Sequence, residues 1–224
     1  MVDCCEDKSC EVSALRERHR NVLWVVLWTN AVMFLVEMWA GLLAHSTALL
    51  ADALDMLGDA LVYGFSLFVL GRSARWQAGA SVGKGAFMFV FGFAVLGEAA
   101  YKLVHPVMPG VAAMGVIGAV ALAANLYCFV LLVGHRGDNL NMSSTWLCSR
   151  NDLVANVSVL AAAAASYFFQ SQWPDVAIGV AIAALFLGSA LRVLRQALVA
   201  LSPAAVASPP PSVRARGHAR SSGR

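Results

Sequence analysis

Between residues 22 and 200, nearly every Lys and Arg sits at or near the edge of an apolar stretch rather than in the middle of one. A helix needs about 20 apolar residues to cross a hydrocarbon core of about 30 Å. Lipid offers backbone groups no hydrogen-bond partners, so among open structures only helices can span it. The pattern predicts an all-α polytopic membrane protein with six transmembrane helices, over residues 22–44, 46–70, 82–104, 111–134, 144–169 and 174–200. With 59% hydrophobic residues, 13% charged ones and a mean hydropathy of +0.69, a soluble globular domain is excluded. The 224 residues leave room for one membrane domain, residues 22–200, and little more.

Positive charge near helix ends orients such a protein. Arg16, Arg18 and Arg20 precede the first span, and Arg72, Arg75 and Lys84 flank the second loop. Arg136 lies in the fourth loop, and Arg192 and Arg195 end the sixth span. All of these fall on one side, while the opposite loops offer only Lys102, His45 and His105. Both termini are therefore expected in the cytoplasm and the protein in the cell (inner) membrane. The polar start runs to Asn21, and the apolar run after it is long enough to span and lacks a small-residue cleavage site, so no signal peptide is expected.

Residues 1–21 read as a cytoplasmic segment in which VDCCEDKSCEV sets Cys4, Cys5 and Cys10 beside Asp3, Glu6 and Asp7. Thiols stay reduced in the cytoplasm. The cluster suits capture of a metal ion and suits a mildly reactive disordered tail equally well. Its spacing is not that of a zinc finger, and five cysteines make no disulfide framework. Residues 201–224 are rich in Pro, Ser, Ala and Arg without apolar periodicity, which predicts a disordered basic tail lying at the anionic inner leaflet.

The second span carries LADALDMLGDA, with Asp52, Asp55 and Asp59 at i, i+3 and i+7. That spacing stacks them on one helical face. Counting about 1.5 Å per residue from Ser46 puts Asp55 and Asp59 about 14 to 20 Å deep. An ionised Asp near a helix centre costs about 2.5 to 3.5 kcal/mol, whereas a Leu returns about 0.3 to 0.6. A helix bearing three of them must face protein, water or a cation.

In STWLCSRNDLVANVSVL of the fifth span, Cys148 and Asp152 are four apart and share a face. Entering from the inner side near Ser143 or Ser144, they lie about 6 to 14 Å deep. Asp55, Asp59, Cys148 and Asp152 thus approach a common level from opposite sides. Three oxygens and one sulfur suit a tetrahedral divalent metal, and the thiolate favours zinc or cadmium over magnesium or calcium.

These residues resemble the cation diffusion facilitators, which export divalent metals from the cytoplasm. TNAVMFLVEMWAGLLAHSTALLADALDMLGDAL is similar to that family's first two helices, with Asn30, Glu37, Gly41 and the ALLAD run in place. Asp55 and Asp59 match its His-or-Asp-x-x-x-Asp pair on helix two. NLNMSSTWLCSRND resembles the approach to its His-x-x-x-Asp pair on helix five, with Asp152 as the Asp and Cys148 in place of the His. The resemblance covers roughly residues 22–200 and implies a divalent metal efflux transporter working by metal–proton antiport and alternating access, as a homodimer. The chain departs from the family in that cysteine, in the absence of the usual cytoplasmic domain after Leu201, and in a reduced loop, GHRGDN, whose only histidine is His135. The expected form is therefore one without the C-terminal cytoplasmic domain.

The site's chemistry supplies a route to antiport, since binding needs deprotonated ligands and so releases protons. Expected partners are divalent metal ions, protons, the bilayer and a second copy, with no nucleic acid. The metal is cargo, and no prosthetic cofactor is expected. Glu37 and Asp52 read as an access path or relay, or as interhelical hydrogen bonding. Asn30, Asn125 and Asn156 read as interhelical hydrogen-bonding residues, Glu98 as an i, i+4 partner of Lys102, and Cys128 as core. Gly79, Gly83, Gly115 and Gly118 permit close helix approach. Two rival functions are weighed. An intramembrane aspartyl protease should carry Gly-x-Gly-Asp, but Asp59 follows MLG, so the chain is not expected to be an enzyme. A metal sensor or chaperone partner that does not transport is the other.

Overall fold

A computed structural model of the chain describes residues 20–68, 74–134 and 142–201, with side chains placed for all of these except 66, 74–75, 77–78, 134, 142–151 and 200–201. The described residues form six helices in chain order: α1 (Arg20–Leu43), α2 (Thr47–Phe68), α3 (Ala74–Val104), α4 (Val111–Gly134), α5 (Met142–Phe169) and α6 (Trp173–Leu201). No strand occurs among them. The predicted spans correspond one to one, with the largest shift at α3, which begins eight residues before position 82. Hydropathy marks where lipid ends, whereas a helix keeps satisfying its own backbone beyond that point, so polar RWQAGASVG continues the coil.

Five of the helices are long and apolar enough to cross a membrane. In α2, every 18-residue stretch contains all three aspartates, and this is the one helix that fails on composition. The fold answers by making α2 central, in contact with α1, α3, α5 and α6. Residues 47–54 of α2 are all buried. The outward faces of the other helices carry Trp28, Leu35, Val90, Val116 and Leu185, each more than half exposed, as a lipid-facing surface would. Exposed Trp39, Tyr101, Tyr167 and Trp173 ring one end of the bundle, and Trp76 and Tyr127 lie towards the other. Amphipathic rings of this kind anchor a protein at both interfaces.

Three-residue links join α1 to α2 and α5 to α6, too short for anything but antiparallel neighbours. Both are closed by the same device. The amide of Ser46 donates to Gly41 O and that of His45 to Leu42 O, with His45 in the left-handed region at φ 49°. The amide of Ser171 donates to Ser166 O beyond Gln170, at φ 48°. These are helix C-terminal caps in which a non-glycine residue fills the position glycine usually takes.

In lipid, helices associate through close packing rather than through exclusion of water. The most extensive pairings are α3 with α6 and α1 with α2. At Gly179, a Cβ would stand 2.6 Å from the Thr47 carbonyl carbon, so only glycine lets α6 cross the start of α2. The glycines singled out from sequence behave otherwise: within the chain, Gly79, Gly83 and Gly115 meet no neighbour within 4 Å, and Gly118 makes a tight contact with Leu160. Glycine spacing alone does not say which helix face is covered.

Candidate functional site

The amino end of α2 has three amide groups that find no partner inside the helix. Ser46 caps it, its Oγ accepting from Leu49 N at 3.1 Å. Asp175, from the first turn of α6, supplies the rest: Oδ2 accepts from Thr47 N at 2.9 Å, and Oδ1 accepts from Ala48 N at 3.0 Å and from Ser46 Oγ at 2.7 Å. Its negative charge also complements the positive end of the helix dipole. Lys102 of α3 completes the group, donating to Asp175 Oδ2 at 2.9 Å and to His45 O. Glu98 pairs with Lys102 at 3.3 Å, as its i, i+4 spacing predicts, and accepts from Thr47 Oγ1 at 2.7 Å. Gln172 ties in the α3–α4 link, accepting from Val107 N and donating to Lys102 O. Lys102 and Asp175 are 2% and 0% exposed. Lys102, read from sequence as a loop charge, is thus a buried partner. Asp175 was not singled out at all, because an Asp after Trp-Pro reads as an ordinary first-turn residue of its own helix.

Below this knot runs the acidic stripe. Asp52 has no exposure, while Asp55 and Asp59 are half-buried. On α5, Asn156 donates through Nδ2 to Asp52 Oδ1 at 3.2 Å and to the carbonyl of Asp152 at 3.0 Å. That bond links α2 to α5 and bears out the reading of Asn156 as an interhelical group. Asp152 is half-buried and lies within electrostatic reach of Asp52. Asp55, Asp59 and Asp152 all have interaction partners. Glu37 of α1 is fully buried and within electrostatic reach of Asp52 and Asp55. The structure therefore draws acids of α1, α2 and α5 into one region.

Among the described residues, no three His, Cys, Asp or Glu side chains converge closely enough to hold a metal ion. The predicted quartet also needs Cys148, which belongs to α5 but whose side chain lies outside the described ones. Cys4, Cys5 and Cys10, His135 and the 202–224 tail likewise lie outside the described residues. Of the remaining polar groups, Asn30 donates to Val26 O at 2.8 Å and, across to α4, to Cys128 Sγ at 3.8 Å. Cys128 is a buried core thiol, as expected.

Comparison with known proteins places this arrangement. The sequence profile described as the cation efflux transmembrane domain matches residues 23–202. The chain is 26% identical to proteins named cadmium, cobalt and zinc/H(+)-K(+) antiporter in Bacillus velezensis and Bacillus subtilis, covering 80% of this chain and 62% of each of them. It is 25% identical to the metal cation efflux system protein CzcD of Cupriavidus metallidurans, over 71% of this chain and 54% of that protein. The chain thus spans less than two thirds of the length of these relatives. A family profile matched across all six helices, over a bundle whose central helix carries the acidic stripe, makes this chain a member of the cation diffusion facilitator family.

Proposed function

We propose that the protein carries divalent metal cations out of the cytoplasm, zinc foremost and cadmium next, in exchange for protons, and that it is a transporter rather than an enzyme. The observation that carries this reading is the placement of Asp52, Asp55 and Asp59 on the most enclosed helix, with Asn156 joining that stripe to the Asp152 turn of α5. Carboxylates so costly in lipid mark ion pathways. In this reading Asp55, Asp59, Cys148 and Asp152 hold the ion. The thiolate biases the site towards zinc and cadmium. Metal binding displaces protons from the thiol and carboxyls, and protons arriving from the outer side later release the metal.

The gradient of burial gives the reading a direction. Asp52 is sealed beneath the Lys102–Asp175 knot, while Asp55 and Asp59, further from it, are half-buried. With both termini in the cytoplasm, as the charge distribution implies, the knot closes the outer side in this reading and the stripe loads from the inner side. The relatives named as antiporters support an exchange mechanism, and the family supports assembly as a homodimer.

The test is zinc and cadmium uptake into proteoliposomes containing only this protein, under an imposed proton gradient, with Asp152→Ala and Cys148→His beside the native chain. Native uptake, none in Asp152→Ala and a shift towards zinc in Cys148→His is the expected set. Silence of all three would leave a non-transporting metal sensor as the better reading. Native flux indifferent to collapse of the gradient would remove the proton exchange.

A further inference from the structure

The two helices that carry the candidate metal ligands hold each other loosely. Of the four helices that α2 contacts, α5 meets it least extensively. Packing therefore does little to fix how far Asp152 stands from Asp55 and Asp59. Across this thin contact runs the bond from Asn156 Nδ2 to Asp52 Oδ1, at 3.2 Å. Asp52 stands one turn before Asp55 on α2, and Asn156 one turn after Asp152 on α5.

A side-chain amide has two hydrogens to give, and Asn156 places both. The second goes to the carbonyl of Asp152 at 3.0 Å. In a helix that carbonyl also accepts from the backbone amide four residues on, which is Asn156's own. One residue therefore grips the Asp152 peptide twice and, through Asp52, fastens it to α2.

This grip is kept at a cost. Asn156 and Asp52 are each 0% exposed, and Asn156 Oδ1 and Asp52 Oδ2 have no hydrogen-bond partner. Buried polar atoms without partners are costly. An apolar side chain at position 156 would leave no such orphan on α5, so packing alone gives no reason for an amide there. A polar group held at a cost inside a membrane bundle points to function.

We propose that Asn156 is a positioning residue of the metal site: its amide ties the Asp152 turn to Asp52, sets the spacing between the α2 carboxylates and Asp152, and so favours zinc over the larger cadmium ion. That role rests on the ligand set of the transport reading, Asp55, Asp59, Cys148 and Asp152. Asn156 itself touches no ion. Selectivity among such metals comes from geometry and ligand type rather than raw affinity, and hydrogen-bond partners behind the ligands fix their orientation. Zinc takes oxygen ligands at about 2.0–2.2 Å, so it suffers more than cadmium when the two halves of the site drift apart.

The experiment is equilibrium binding of radioactive zinc and radioactive cadmium to the detergent-purified full chain, with melting temperatures taken on the same samples. Binding is counted as the part lost in Asp152→Ala, which subtracts any metal held by Cys4, Cys5 and Cys10. Asn156→Leu should weaken zinc binding about tenfold or more and cadmium binding by less, so the zinc-to-cadmium ratio moves towards cadmium. Asn156→Ala, which adds no bulk, should move it the same way. Asp52→Leu should do so too, and Asp52→Leu with Asn156→Leu no further than either single, because both remove one shared bond. A lower melting temperature with the ratio unmoved is the mark of a role in stability alone and would overturn the positioning role. So would shifts that add in the double variant. If no binding is lost in Asp152→Ala, the ligand set is wrong and the positioning role falls with it. If Asp152→Ala loses zinc while both Asn156 variants keep the native ratio, the ligand set stands and Asn156 has no part in it.

Discussion

Replacing Lys102 by Met removes one charge from the knot that joins the start of α2 to α3 and α6. The Lys102–Asp175 pair is 2% and 0% exposed, with 2.9 Å between Nζ and Oδ2. Removing one partner of a buried pair costs about 3–5 kcal/mol, because the other is left as an uncompensated charge. Asp175 would keep Ser46 Oγ and the Thr47 and Ala48 amides as donors. Lys102→Met therefore falls near the lower limit, about 3 kcal/mol. Asp175→Ala loses all four donors' acceptor at once and leaves two helix-terminal amides unpaired, so it falls near the upper limit, about 5 kcal/mol. The double variant should cost less than the sum of the singles, since each has already lost the shared bond. Reversible unfolding in mixed micelles of increasing denaturing-detergent fraction, followed by tryptophan fluorescence, measures all three. A loss of about 1 kcal/mol or less for Lys102→Met, the size of an exposed pair, would refute the claim that this bridge holds the end of the bundle where α2 and α6 begin.

Three further outcomes follow from the geometry. Asp59→Ala should abolish zinc uptake in proteoliposomes, because a methyl group cannot replace a ligand, while its melting temperature stays at or above the native value; retained uptake would remove the quartet. Gly179→Val should cost about 1–3 kcal/mol through overpacking against Thr47, whereas Gly79→Ala, facing open space, should be neutral or slightly stabilising in the same unfolding assay. Asn156→Leu strips Asp52 Oδ1 of its donor and should destabilise by about 1–3 kcal/mol; equal stability of variant and native chain would show that this amide does not support the carboxylate.

Some of the site was legible before any coordinates. Asp52, Asp55 and Asp59 stand out because a charge in an apolar run has few innocent explanations, and Glu98 with Lys102 because i, i+4 is a fixed distance on any helix. Asp175 was illegible for the opposite reason. Its partners, Ser46, Thr47, Ala48 and Lys102, are 73 to 129 positions away in the chain, and a lone acid in a helix's first turn already has a sufficient local explanation. The burial of Lys102 inverted its sequence reading in the same way: near a span end a lysine looks like a loop charge until a partner from another helix is seen.

The sequence by itself determined that six helices form, where they begin and end to within a few residues apart from the start of α3, and that α2 had to be hidden. These follow from transfer energies and helix periodicity, which depend only on nearby residues. Tertiary structure alone decided which helices hide α2, that Gly179 and not Gly79 marks a close crossing, that the amino end of α2 is laced by Asp175, and that Glu37, Asp52 and Asn156 are buried with unanswered oxygens. Those facts are sums over contacts between distant segments. Six helices of known length can pack in many ways, and only the packing fixes which polar groups face one another.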